Sequence, residues 1–239
     1  MIVLPAVDTY GMRILVPMLV VVVLAGGAWT FEKHSRAANE RALSAVATEL
    51  AGRPVNVRCQ TFWQALIDVN SRLGDVPFPE GRAASYTHIT RKMCGQLTRF
   101  RHGRSHPELA CLAAFDWSRF DGSDPAMADC SRHANNTVEA LMTLAHESMH
   151  LRGWADEATA QCYGLQELAF TVEQLGGSFA EGKAAADYML SLQKWLPEDY
   201  QSGDCVPGGR LDLHPTTPAF PTEDQPAPLP SGFFGPQLL

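Results

Sequence analysis

Six cysteines, Cys59, Cys94, Cys111, Cys130, Cys162 and Cys205, all follow a charge-free apolar run at residues 14–29, ILVPMLVVVVLAGGAW. That arrangement constrains the chain more than any other feature. Arg13 stands immediately before the run, which marks it as a membrane-targeting segment and sends the remainder of the chain out of the cytoplasm. An even number of cysteines in an exported domain predicts three disulfides, with the pairing left open. A thiolate metal site is the rival reading, but no two of these cysteines have close C-x-x-C spacing. At about 1.5 Å per residue the run is slightly short for a bilayer core of about 30 Å, and Thr30 and Phe31 extend it enough to span. A cleaved signal peptide ending near Gly26-Gly27-Ala28 is the alternative. The long valine-rich stretch and the charged, helical-looking segment behind it favour an uncleaved single-pass anchor with the domain on the extracytoplasmic side.

The formal net charge of −7 argues against a nucleic-acid binder, because phosphate neutralisation needs a basic surface. The local cluster of Arg91, Lys92, Arg99, Arg101 and Arg104 reads as a solvated face. Four regions are expected: an N-terminal segment and anchor at 1–31, a helical stalk at 32–53, a folded domain at 54–205, and a Pro/Gly-rich tail at 206–239 that is extended rather than packed. Within the domain, Val55–Cys59 alternates as a short strand, 61–73 reads as a helix and 74–82 as a Pro/Gly loop. Met93, Cys94, Leu97 and Phe100 recur at helical spacing along 87–100, and 107–115 suits another short helix. Residues 116–132 read as a loop. Asn136 and Glu139 have capping-box spacing ahead of an apolar stripe, Val138, Leu141, Met142, Ala145 and Met149, which Gly153 ends. Two further helices are expected, 155–175 and, from the Ser178–Glu181 capping box, onward to Trp195. The fold class is therefore mainly α, with a disulfide-stabilised helical domain behind a transmembrane helix.

The chemistry concentrates in His146-Glu147-Ser148-Met149-His150. Two histidines four residues apart on a helix project from one face, one turn apart, so both imidazoles reach one metal at roughly 2.0–2.1 Å. Glu147 lies about 100° around the helix, where its carboxylate reaches a water activated by that metal. H-E-x-x-H also occurs by chance in unrelated helices. Three features separate this one: a capped amphipathic helix carries it, Gly153 stops that helix, and the carboxylates Asp156 and Glu157 follow where a third ligand would come from.

The stretch from His146 to Glu157, HESMH then LRG then WADE, resembles the active-site helix of the zincin metallopeptidases, over a segment reaching about Tyr163. The resemblance implies bound Zn2+, His146 and His150 as ligands and Glu147 as general base. In the metzincin-like branch the third ligand lies six residues after the second histidine, which here is Asp156 rather than the usual histidine. In the gluzincin-like branch it is a glutamate on the next helix, which points to Glu157 and leaves Asp156 as helix cap or supporting partner. Glu157 is the favoured ligand. Asp156-Glu157-Ala158-Thr159-Ala160-Gln161-Cys162-Tyr163 is also similar to a segment of uncharacterised bacterial envelope proteins. The resemblance suggests Tyr163 or His133 as oxyanion-stabilising groups, although structural roles suit both better; Cys162 reads as a disulfide fixing the ligand helix and Trp154 as a core anchor. The Asn135-Asn136-Thr137 glycosylation triplet reads as cap chemistry. The implied function is a membrane-anchored extracytoplasmic zinc metallopeptidase acting on a peptide or protein substrate in the cell envelope. The alternatives are a non-catalytic zinc-binding structural or interaction protein of the envelope, or a cell-wall amidase using the same residues. A zincin also needs an edge strand to align its substrate, and the sequence does not locate one.

Overall fold

The computed structural model describes residues 34–67, 72–216 and 220–221. The expected membrane anchor at 14–29 and most of the expected tail lie outside the described residues. Among the described residues no helix is long and apolar enough to cross a membrane. The chain divides into two compact units, residues 1–39 and 40–239; of the first, only 34–39 are described, as the opening of helix α1 (34–51).

After α1 come β1 (Asn56–Cys59), α2 (Phe62–Ile67), β2 (Gly74–Asp75), β3 (Tyr86–Ile89), α3 (Arg91–His102), α4 (Pro107–Leu112), α5 (Pro125–Arg152), α6 (Glu157–Gln166), α7 (Leu168–Gln174) and α8 (Phe179–Leu192). The mainly helical reading holds, with a three-stranded sheet added: order β1-β3-β2, β1 parallel to β3 and β2 antiparallel to it. Two expectations are corrected here. The supposed loop at 74–82 opens with β2, and the supposed helical segment at 87–100 begins as β3, with Thr90 capping α3 by accepting from the Met93 amide. Two-residue pairing such as Gly74 with Ile89 is fixed by neighbours distant in sequence, so no local periodicity announces it.

The free edge of β1 is covered by side chains of α1. Glu40 Oε1 accepts from the Cys59 amide at 2.9 Å, Ser44 Oγ from Val57 at 2.8 Å and Thr48 Oγ1 from Val55 at 3.2 Å. Four residues of helix advance about 6 Å and two residues of strand about 6.6 Å. An i, i+4, i+8 polar row therefore stays in register with alternate strand amides and blunts an edge that would otherwise recruit another strand. The adjacent face of α1 buries Leu43, Ala47 and Leu50 in the core.

Helix α5 is the axis of the domain. Its 28 residues span about 42 Å, and it packs against β2, β3, α3, α4, α6 and α7. It starts twelve residues earlier than the Asn136 capping box would place it, the cap being Asp124, so much of the expected 116–132 loop is helix and Asn136 is interior. Asp124 is the cap, accepting from the amides of Ala126 and Met127, with Pro125 at the first helical position. Gly153, at φ 117°, ends α5 in the left-handed conformation and lets the chain double back into α6. The single helix expected over 155–175 is two, broken at Glu167. The neighbouring Gln166 side chain donates to the Leu211 carbonyl at 2.8 Å and accepts from the Leu213 amide at 2.8 Å, which draws residues 211–213 onto α6. The Ser178–Glu181 capping box opens α8 as expected.

All six cysteines are paired: Cys59–Cys94 joins β1 to α3, Cys111–Cys130 joins α4 to α5, and Cys162–Cys205 joins α6 to the segment beyond α8. Closing loops of 35, 19 and 43 residues removes roughly 3–4 kcal/mol of unfolded-state entropy each.

Candidate metal centre

His146 and His150 lie on the last turns of α5, and Glu157 opens α6 immediately after the Gly153 reversal. The fold closes these three groups on one another. His146 Nε2 is 2.9 Å from His150 Nε2, and Glu157 Oε2 is 3.1 Å from the first and 3.2 Å from the second. The three form a group that can hold a metal ion. Ligand atoms about 2.0–2.1 Å from a tetrahedral centre stand roughly 3.3 Å apart, and the observed separations fall just inside that figure. His150 Nδ1–H donates to the Trp154 carbonyl at 2.6 Å, which orients its Nε2 lone pair into the cluster. Burial, then the neighbouring His146, pushes the His150 pKa down, favouring the neutral, ligating form. The hydrogen bond to His146 and the charge of His150 hold Glu157 down to about 2 against the cost of its burial, so it stays ionised.

Asp156 is not in the cluster. It caps α6, accepting from the Thr159 amide at 2.8 Å and the Thr159 hydroxyl at 2.6 Å. Glu147 lies beside the triad, where α5 meets the sheet, and lines both lobes of the adjoining cleft. It is buried, Thr87 Oγ1 of β3 donates to its Oε2 at 3.4 Å, and Gly74 of β2 lies against its carboxylate. A Cβ at position 74 would come within 2.5 Å of Glu147 Oε1, so any residue but glycine here makes β2 or the Glu147 side chain shift. Burial first, then the charges of Glu157 and Asp75, push Glu147 up to about 8. A cation at the triad would oppose the Glu157 contribution and draw that value back. A carboxylate whose proton affinity lies near neutrality is suited to general acid–base work.

The groups face a two-lobed cleft. A cavity of about 440 Å³ extends along α5 toward α8, and a smaller one of about 140 Å³ lies over His150 and Glu157. Arg72, Gly74, His146, Glu147 and Tyr200 line both lobes and mark their junction. Sequence reasoning missed Tyr200. Its ring stacks on His146 with centroids 5.6 Å apart, and it stands near enough to Glu157 to feel that carboxylate's charge. Burial, then the Glu157 charge, pushes it up to about 12, so it remains a proton donor. The signal that would have found it is the Cys162–Cys205 pairing, which brings the segment around Tyr200 back to the ligand helix, and pairing is not legible from spacing.

The two oxyanion candidates named from the resemblance line neither lobe. Tyr163 packs edge-on against Trp154 at 5.1 Å, and His133 is exposed, its Nδ1–H donating to the Asp129 carbonyl. Cys162 is disulfide-bonded, and Trp154 is a partly buried flank of the core. No family model matches the chain, and neither curated proteins nor solved structures show a match to it. Its functional reading therefore rests on this geometry.

Proposed function

We propose that the chain is a zinc metallopeptidase that hydrolyses peptide bonds outside the cytoplasm, anchored to the membrane by residues 14–29. The observation that carries this reading is the convergence of His146, His150 and Glu157 within 4.8 Å at the floor of an open cleft, with Glu147 buried beside them. Two imidazoles and a carboxylate are a donor set that suits Zn2+, and three protein ligands leave a position for substrate or water. A purely structural site would use four protein ligands and has no need of Glu147. Three disulfides support an oxidising compartment. Strand β2, at the sheet edge beside Glu147, supplies backbone groups along which an extended peptide can align, the element the sequence alone left unlocated.

Zinc held by the triad supplies Lewis acidity to the attacking water and to the scissile carbonyl. Glu147 accepts a proton from the water as its oxygen bonds to the carbonyl carbon, and delivers that proton to the amide nitrogen as the C–N bond breaks. Tyr200 donates to the carbonyl oxygen as negative charge builds there. The Thr87 hydroxyl and the close packing of Gly74 hold the Glu147 carboxylate in place.

Metal analysis of the purified protein is the direct test. We expect one zinc per chain, lost in Glu157→Ala and His150→Ala and kept in Asp156→Ala and Glu147→Gln. In the last variant peptide hydrolysis should fall by a factor of about 10²–10⁴. A wild-type chain without zinc, or a Glu147→Gln chain as active as wild type, would sink the proposal.

A further inference from the structure

We propose that the larger lobe of the cleft is a specificity pocket for a lysine or arginine side chain, with Glu139 receiving the cationic end. The inference rests on the metallopeptidase reading and names the substrate class of that site. It begins with one stripe of α5. Asn135, Glu139, Met142 and His146 all line the lobe, and offsets of 4, 7 and 11 residues from His146 return to nearly the same helix face. The stripe thus runs outward from the metal end along the pocket floor, and seven residues of rise place Glu139 about 10 Å from the level of His146. That separation is within reach of an extended Lys or Arg side chain whose backbone carbonyl lies over the triad.

The walls and the far end differ in chemistry. Met142 and Met189 are buried, and with Leu192 and Leu196 they give the lobe an apolar lining suited to a methylene stem. Among the residues lining this lobe the acidic ones are Glu139 and Glu147, and Glu147 belongs to the metal end. Arg72, the cation at the junction, pairs with Asp75 at 3.3 Å. Glu139 itself meets Lys92 at 3.4 Å in an ion pair whose side chains are 60% and 33% exposed. Such a pair contributes little, so a substrate cation can share or replace it. Thr143 turns its hydroxyl to the Glu139 backbone carbonyl and leaves the carboxylate free of that competitor. The second lobe has about a third of the volume.

Binding to the zinc-loaded full chain carrying Glu147→Gln tests this without turnover. The probes are peptides blocked at both ends that differ at one position, lysine against norleucine, which keeps the stem and removes the charge. Lysine should bind about tenfold more tightly than norleucine. Adding Glu139→Gln should erase that preference, and adding Lys92→Ala should enlarge it. Equal binding of the two peptides, or a lysine preference that survives Glu139→Gln with zinc content and melting temperature unchanged, overturns the inference. If Glu139→Gln proves unstable, a Lys92→Ala chain with no gain in preference overturns it independently. Selective binding combined with no cleavage of any peptide by the wild type would instead fail the peptidase reading and keep the pocket.

Discussion

The two walls of the cleft are built in opposite ways. One is local: His146, Glu147, His150 and Glu157 fall within twelve consecutive residues, on a capped helix, a glycine reversal and the first turn of the next helix. The other is assembled from distant segments, around Arg72–Gly74, from α8 at Met189 and Leu192, and at Leu196–Tyr200, with Thr87 behind it against Glu147. Helical spacing and cap chemistry position the first wall; sheet pairing, a disulfide and close backbone packing position the second. The first wall brings together a group that can hold a cation, whereas the proposed acid–base tuning and substrate alignment draw on both.

Removing Cys162–Cys205 is the strongest way to break that comparison. Paired Cys162→Ser and Cys205→Ser substitutions should lower stability by roughly 4 kcal/mol, the entropy of a 43-residue loop. The local wall predicts that the folded variant still binds zinc, while hydrolysis falls because the Tyr200 segment is no longer tied to α6. Denaturant unfolding, metal content and kcat measured on one preparation separate the three effects. If zinc and kcat are lost in parallel, the ligand wall depends on the tether and the distinction between the walls collapses.

The same contrast explains what the sequence disclosed. The histidine pair was legible because i, i+4 spacing is set by helix geometry, and a carboxylate was expected just past the glycine stop; the preference for Glu157 as ligand, with Asp156 as cap or supporting partner, came from the resemblance to gluzincin-like helices. The start of α5 was misread because Asn136 and Glu139 have capping-box spacing, whereas the helix opens earlier on a simple Asp124 cap followed by Pro125. Strand β2 and Tyr200 were invisible, since a two-residue strand has no periodicity and a tyrosine beyond a helix end gains meaning only when the Cys162–Cys205 pairing is known. The helical stalk and its row of Glu40, Ser44 and Thr48 lay between these extremes: the helix was readable, and its role in covering β1 was not.

A smaller perturbation acts where the walls touch. Gly74→Ala would set a Cβ 2.5 Å from Glu147 Oε1 and 2.6 Å from its Cδ, so either β2 or the carboxylate must shift. Overpacking of this kind costs about 1–3 kcal/mol. Zinc content should stay at the wild-type level, because the atoms nearest a Cβ at residue 74 belong to Glu147 and not to a ligand, while kcat falls as Glu147 is displaced. A variant with wild-type kcat would show that the Gly74 contact does not position the base.

The finest test removes one oxygen. Tyr200→Phe keeps the ring stacked on His146 and deletes the hydroxyl that feels the charge of Glu157. Two roles for that hydroxyl make different claims. If it only steadies Glu157, its loss weakens zinc affinity and leaves kcat of the fully loaded enzyme unchanged. If it donates to the carbonyl oxygen in the transition state, kcat of the loaded enzyme drops about tenfold, near 1.4 kcal/mol, with KM little changed. The second outcome is expected: two imidazoles and an ionised Glu157 already suffice to hold the metal, whereas among the described residues lining the cleft junction no other neutral hydroxyl donor stands beside His146.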